Sequence, residues 1–240
     1  MKTKKAAAVL VVLAALVSGC GSEGPKSSGS GPTTPVEKAD PADVAIAKGS
    51  LLVLADLPSG WEATTLGDED EDKKARHHIA TCMGVAYEDL YAKSSEATAH
   101  SKTFESEDDD EISNNVVVTE DEARAKSIFA LISSEKYRAC ALTEVKAGIK
   151  KNIDDDVKLG TISLNEVSFD EYGDETTAFR VTANLETQGT SVEVALDYVA
   201  VRVGRAATTV TAQASFSPFG TDELSTYVKI ATDRLTAQLS

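Results

Sequence analysis

The sequence predicts an α+β fold with a mostly antiparallel sheet, and three observations carry that expectation. From Val157 onward apolar residues recur with a period of two, whereas upstream they recur at helical spacing. Gln188-Gly189 and Gly204-Arg205 fall between the alternating runs as tight connections, which makes the C-terminal half a four-stranded antiparallel meander. The chain then closes on an amphipathic run in which Leu224, Val228, Ala231, Leu235 and Leu239 share a helical face, so a last helix should lie across the sheet. Residues 40–240 fit one domain with packed helices, and no internal repeat divides them.

Each element follows from local chemistry. Asp40-Pro41 offers an N-cap and a proline at the first helical position, opening a short helix through Val44 and Ala47 into Leu51-Leu52. The turn Asp56-Leu57-Pro58-Ser59-Gly60 then delivers Trp61, the only tryptophan, into a first strand. A helical region over residues 72–93 is broken near Gly84 and carries Ile79, Cys82, Met83, Leu90 and Tyr91. Residues 98–119 read as a hairpin whose loop is the acidic run 107–111. Thr119 and Glu122 fit a capping box for a helix to about Ser133, and a further helix after Ser134 runs to about Lys151 with Tyr137, Cys140, Ala141, Val145 and Ile149 near one stripe.

Strands are expected near residues 158–169, 176–187, 190–203 and 206–216. In the third, Val192, Val194 and Leu196 share one face, but Val199, Val201 and Val203 have the opposite parity, which predicts a bulge or a face swap within a long bent strand. Thr221 is the expected cap of the last helix. Aromatic residues make up only 5% of the chain, so the core rests on Val, Leu, Ile and Ala.

The N-terminus has a different logic. Lys2, Lys4 and Lys5 precede an uncharged apolar run over residues 6–17, too short to span a bilayer as a helix. The run ends in Val17-Ser18-Gly19-Cys20, which resembles the lipobox of bacterial lipoprotein signal peptides. That resemblance implies a signal peptide over residues 1–19, cleavage before Cys20 and diacylglycerol on its thiol; the alternative is an ordinary signal peptide with a chance cysteine. Residues 21–39, GSEGPKSSGSGPTTPVEKA, hold almost no large apolar side chain and read as a flexible linker, with a reach of roughly 25 Å if disordered. The expected location is the extracytoplasmic face of the cell membrane, lipid-anchored and monomeric.

Cleavage removes three lysines and no acid, so the formal charge falls from -15 to -18. Such a surface repels phosphate backbones, which excludes nucleic acid as a partner. With Cys20 committed to lipid, the remaining cysteines are Cys82 and Cys140, and in an exported chain they are expected to form a disulfide worth about 4 kcal/mol in the loop-entropy model. Two free thiols are the alternative.

Catalytic and metal motifs are sparse. His78 and Cys82 have the i, i+4 spacing of a ligand pair beside His77, but a zinc site needs further ligands and a reduced Cys82. The acidic runs 67–72, 107–111 and 154–156 lack the spacing and internal glycine of an EF-hand calcium loop. The folded part has no Gly-x-Ser-x-Gly elbow, His-Glu-x-x-His helix or phosphate loop, and His100 stands alone in a strand. No cofactor, metal or enzymatic activity is expected. Trp61 and the strand at Asp197-Tyr198 are the candidates for lining a ligand cleft, although a lone tryptophan is more often core.

Leu51-Leu52 followed by Ala55-Asp56-Leu57-Pro58-Ser59-Gly60-Trp61, the run from Val199 to Arg205 leading into a last amphipathic helix, and paired helical cysteines resemble actinobacterial envelope lipoproteins related to the extracellular sensor domain of PknH-type receptor kinases. The resemblance spans most of residues 45–240 through short motifs, and it implies a non-catalytic sensor or ligand-binding module with a solvent-facing cleft. The leading expectation is therefore a lipid-anchored ligand-binding or sensing module with an unknown extracytoplasmic ligand. The alternative is a lipid or glycolipid carrier with an internal apolar cavity.

Overall fold

Four long strands form the meander that the alternating C-terminal half predicts: β5 (Val157–Glu166), β6 (Glu175–Thr187), β7 (Thr190–Val203) and β8 (Ala206–Ser215), each antiparallel to the next. The computed structural model describes residues 38–64, 69–153, 156–187, 189–215 and 217–240. At the two ends of β7, Gly189 and Gly204 take φ values of 78° and 55°, the left-handed conformation that two-residue hairpin turns need and that a Cβ disfavours. The signal peptide, Cys20, the linker through residue 37, Gly67 and Asp68 of the first acidic run, and Asp154 and Asp155 lie outside the described residues.

β8 continues the sheet onto β4 (Glu111–Val118), which pairs with both β2 (Ala97–His100) and β3 (Thr103–Glu105), and β1 (Glu62–Thr64) closes that edge on β3. The expected hairpin is thus present with its first arm split in two. Ser101 spans the gap: its N–H donates to the Asn114 carbonyl at 2.8 Å and its hydroxyl accepts from the Asn114 N–H at 2.8 Å. The side chain stands in for a missing ladder bond, so the backbone of β4 stays satisfied.

The helices are α1 (Pro41–Gly49), α2 (Glu69–Met83), α3 (Tyr87–Leu90), α4 (Glu122–Ile132), α5 (Glu135–Asn152) and α6 (Thr221–Leu239). Asp40 caps α1 by accepting from the Ala42 N–H at 2.8 Å. The helix stops at Gly49, short of the expected Leu51-Leu52, and the Leu52 N–H donates instead to the buried Asn114 side chain at 2.8 Å. The expected cap of α4 is also corrected. Asp121 accepts from the Arg124 N–H at 2.7 Å, while the Thr119 hydroxyl is engaged by the carbonyls of Asp121 and Arg205 at 2.8 and 2.7 Å. Gly220, not Thr221, occupies the N-cap of α6.

Residues directly opposite in an antiparallel ladder share a face of the sheet. On one face, Phe179, Val181, Val194, Leu196 and Tyr198 pack against Ile79 of α2 and Tyr137, Ala141 and Ile149 of α5. On the other, Val199, Val201, Val210 and Ala212 pack against Leu224, Tyr227, Val228 and Ala231 of α6, and α1 joins this layer through Ala47, beside Leu235. Each large apolar side chain buried this way contributes about 1.5–3 kcal/mol.

Covering both faces explains the parity change in β7. Its register with β6 and with β8 is unbroken, so it contains neither bulge nor face swap. A strand buried on both sides carries apolar residues at both parities. The register shift lies in β5, between Leu159 and Ile162.

Candidate functional site

Cys82 and Cys140 are bonded to each other, tying α2 to α5 with their Cα atoms 5.8 Å apart. The bridge removes the thiolate that a zinc site on α2 would need, and His78 Nδ1 instead lies 3.2 Å from Glu144 Oε2 on α5. Among the described residues no group of three or more His, Cys, Asp or Glu is arranged to hold a metal ion. No helix among them is long and apolar enough to cross a membrane.

The two aromatic residues singled out in the sequence sit on opposite faces. Trp61 packs on the α6 side, its ring centroid 6.3 Å from that of Phe219. Tyr198 points to the α2–α5 side, stacked on Phe179 with centroids 4.3 Å apart and planes 16° apart. They do not line a common cleft. Asp197 and Tyr198 likewise diverge: Asp197 is on the α6 side, where Arg180 reaches it with two hydrogen bonds of 2.7 and 3.0 Å.

Tyr198 instead belongs to a polar set that the sequence did not single out. Its hydroxyl hydrogen-bonds with Thr209 on β8, and burial pushes its pKa up to about 12. Tyr137 of α5 and Tyr91, just after α3, lie nearby and share a side-chain hydrogen bond, and burial raises both well above the ordinary phenol value. The Arg76 guanidinium of α2 sits 6.0 Å above the Tyr91 ring centroid and is only 2% exposed. Beside Tyr198 on the same face, β8 presents Thr209, Thr211 and Gln213 at alternate positions, and β4 adds Ser113 and Asn115.

Polar atoms in this set are left without partners. Arg76 Nε, Asn115 Oδ1, Gln213 Nε2 and Gln213 Oε1 are buried without a hydrogen-bond partner among the described residues, and Gln213 is only 2% exposed. Each such group carries about 1–3 kcal/mol of unrecovered desolvation.

Exposure on this face rises away from the helices. Thr209, Thr211 and Gln213 on β8 are buried, Glu111, Ser113 and Asn115 on β4 are half-buried, and Glu62 on β1 is exposed. The result is a polar stripe that runs across the sheet from β8 through β4 and β3 to the exposed edge at β1. Its outer end is acidic: Glu62 lies opposite Glu105, Glu105 opposite Glu111, and Glu111 opposite Gln213. Burial, with the charges of Glu105 and Asp109, lifts the Glu111 carboxyl to about 7. Glu111 is therefore poised to hold or release a proton near neutral pH.

Sequence reasoning missed Arg76, Tyr91, Asn115, Glu111 and Gln213. The available signal was on β8, where Thr209, Thr211 and Gln213 alternate with Val210, Ala212 and Ala214. That pattern reads as a strand with a solvent-facing side, yet here the polar side is buried in the middle of the sheet.

No protein-family model and no curated protein matches the sequence. Among solved structures, the extracellular domain of PknH from Mycobacterium tuberculosis is 10% identical with a TM-score of 0.39, covering 82% of this chain and 95% of that one. The Rv0999 ortholog of Mycobacterium smegmatis is 12% identical with a TM-score of 0.35, covering 82% and 96%. LpqN of Mycobacterium tuberculosis, a protein involved in cell envelope biogenesis, is 10% identical with a TM-score of 0.25, covering 74% and 78%. The kinase sensor domain to which the sequence motifs point is thus among these structural neighbours. None of the three is close enough to transfer a role, and the site rests on this chain's own residues.

Proposed function

We propose that the chain is a non-catalytic ligand-binding or sensing module, anchored by lipid on Cys20 at the outer face of the cell membrane, and that its ligand docks on the polar stripe that crosses the sheet from Gln213 to Glu62. The observation that carries the binding site is the cross-strand row from Gln213, whose amide atoms lack partners among the described residues, through Glu111 and Glu105 to exposed Glu62. Ligand sites built on paired strands are held rigidly, and this stripe is carried on β8, β4, β3 and β1. The disulfide supports an exported location, because such bonds persist outside the reducing cytoplasm. The glycolipid-carrier reading has less support, since the apolar side chains on both faces of the sheet are already packed against helices.

The test is to release the full chain from native membranes in mild detergent and weigh it by native mass spectrometry. A lipid mass at Cys20 and a non-covalent adduct that Gln213→Leu depletes are expected. An adduct equally abundant in the variant would overturn the proposed site, and unchanged membrane retention of Cys20→Ala would overturn the anchor.

A further inference from the structure

We propose that the loop between α1 and β1 is a membrane-docking surface, and that Val53 and Leu54 enter the bilayer in which the lipid anchor sits. The proposal goes beyond the ligand-binding reading and rests on the lipid anchor at Cys20 proposed with it. Among the described residues, Val53 and Leu54 are the large apolar side chains left exposed, at 48% and 43%. Exposed apolar residues scattered singly are ordinary, but these two are consecutive and are flanked by exposed Ala55 and Pro58. Residues 51–61 hold a single charged side chain, Asp56, in a chain whose formal charge is -15. Arg234 of α6 pairs with that carboxylate through two contacts of 2.6 Å, and it also donates to the Leu51 carbonyl at 2.8 Å.

The loop is built to present this surface. Leu52 and Leu57 pack into the α6 layer, while a 3-10 turn over Leu54–Asp56 turns Val53 and Leu54 outward. The Asp56 N–H donates to the Val53 carbonyl at 2.9 Å, the Leu57 N–H to the Leu54 carbonyl at 3.2 Å, and the Val53 N–H to the Asp56 carboxylate at 2.8 Å. With these groups satisfied inside the loop, entering a lipid interface strips little polar backbone of water. The far end differs: Glu62 is exposed after Trp61 and Glu107 lies beside Gly60, which confines the contact to residues 53–58. The tether enters the domain at the other end of α1, a rise of about 13 Å away. From Cys20 to Lys38 the chain reaches at most about 60 Å when fully extended. An anchor on that tether keeps the loop at a high local concentration of lipid, where a small apolar contact suffices. The contact draws on apolar burial, not on charge, so salt does not weaken it.

The experiment places an environment-sensitive fluorophore on Ala55→Cys in the full lipidated chain, reconstituted into phosphatidylcholine vesicles. Cys82 and Cys140 are bonded to each other, so with Cys20 acylated the introduced thiol is the one that takes the label. Vesicle flotation reads the anchor, and quenching by lipids brominated on their acyl chains reads the docking. Flotation with quenching of the Ala55→Cys label is expected, unchanged by about 0.5 M salt and reduced about tenfold by Val53→Ser/Leu54→Ser. Both substituted side chains are exposed, so that variant keeps its fold. The same label on Ala147→Cys, an exposed position of α5 on the opposite face of the sheet, should stay unquenched. A chain that floats with the Ala55→Cys label unquenched, or with both labels quenched alike, would overturn the docking and leave the anchor standing. A label shielded from water without quenching by brominated lipid would also overturn it, in favour of a second copy or a protein partner on the loop. A chain that fails to float would overturn the anchor and the docking with it.

Discussion

Glu111 on β4 and Gln213 on β8 lie directly opposite each other on one face of the sheet, a carboxyl lifted to about 7 beside an amide with neither atom hydrogen-bonded. Adjacent polar groups that do not satisfy one another raise the free energy of the folded chain, and their cross-strand neighbours Glu105 and Leu196 relieve neither. A fold that keeps such a pair has traded stability for surface chemistry at that place.

Replacing Glu111 by Gln should flatten part of the pH dependence of stability. Its folded pKa of about 7 lies above the ordinary 4.5, so its contribution is fully present below about 4.5 and is lost as pH rises through about 7. Glu111→Gln is therefore expected to be more stable than the parent near pH 8, by about 1–2 kcal/mol after solvent screening of a half-buried side chain, and close to it below pH 4.5. Denaturant unfolding at the two pH values checks this.

The tyrosine hydroxyls should behave unequally. Tyr198→Phe removes the hydrogen bond to Thr209 from a buried place and is expected to cost about 1 kcal/mol, whereas Tyr91→Phe removes the one shared with Tyr137 at a half-buried residue and should cost about 0.5 kcal/mol. Thermal unfolding of the two variants, compared with the parent, reads the difference directly.

On the α6 side, Asp197 is buried against Arg180, and burial holds its carboxyl above the usual range even so. Arg180→Met leaves that carboxylate uncompensated and is expected to cost about 3 kcal/mol, most of it recovered in Arg180→Met/Asp197→Leu. Equal stability of the single and double variants would show that the pair does not act as a unit.

Reducing the Cys82–Cys140 bond, which closes a separation of 58 residues, should lower stability by about 4 kcal/mol. Calorimetry with and without a thiol reductant tests it; an unchanged melting temperature with the thiols shown to be free would contradict it.

The meander was legible because turn glycines and period-two runs are local signals, and so were α2, α5 and α6, whose apolar stripes face the sheet. Helix ends were less so: α1 stops where Asn114, distant in sequence, takes the Leu52 N–H, and Thr119 loses its capping role to the Arg205 carbonyl. The parity change in β7 looked like a bulge because the sequence does not say that both faces will be covered. The polar stripe was hidden for the same reason, since Gln213, Glu111, Glu105 and Glu62 line up only once β8, β4, β3 and β1 are paired.

The most direct measurement is the unfolding free energy of Gln213→Leu in ligand-free protein. An amide kept for a ligand contributes nothing to the empty fold, so the variant should be as stable as the parent or more so. A loss of about 2 kcal/mol or more would show that Gln213 is a structural hydrogen-bonding residue, and would contradict the assignment of this face as a binding site.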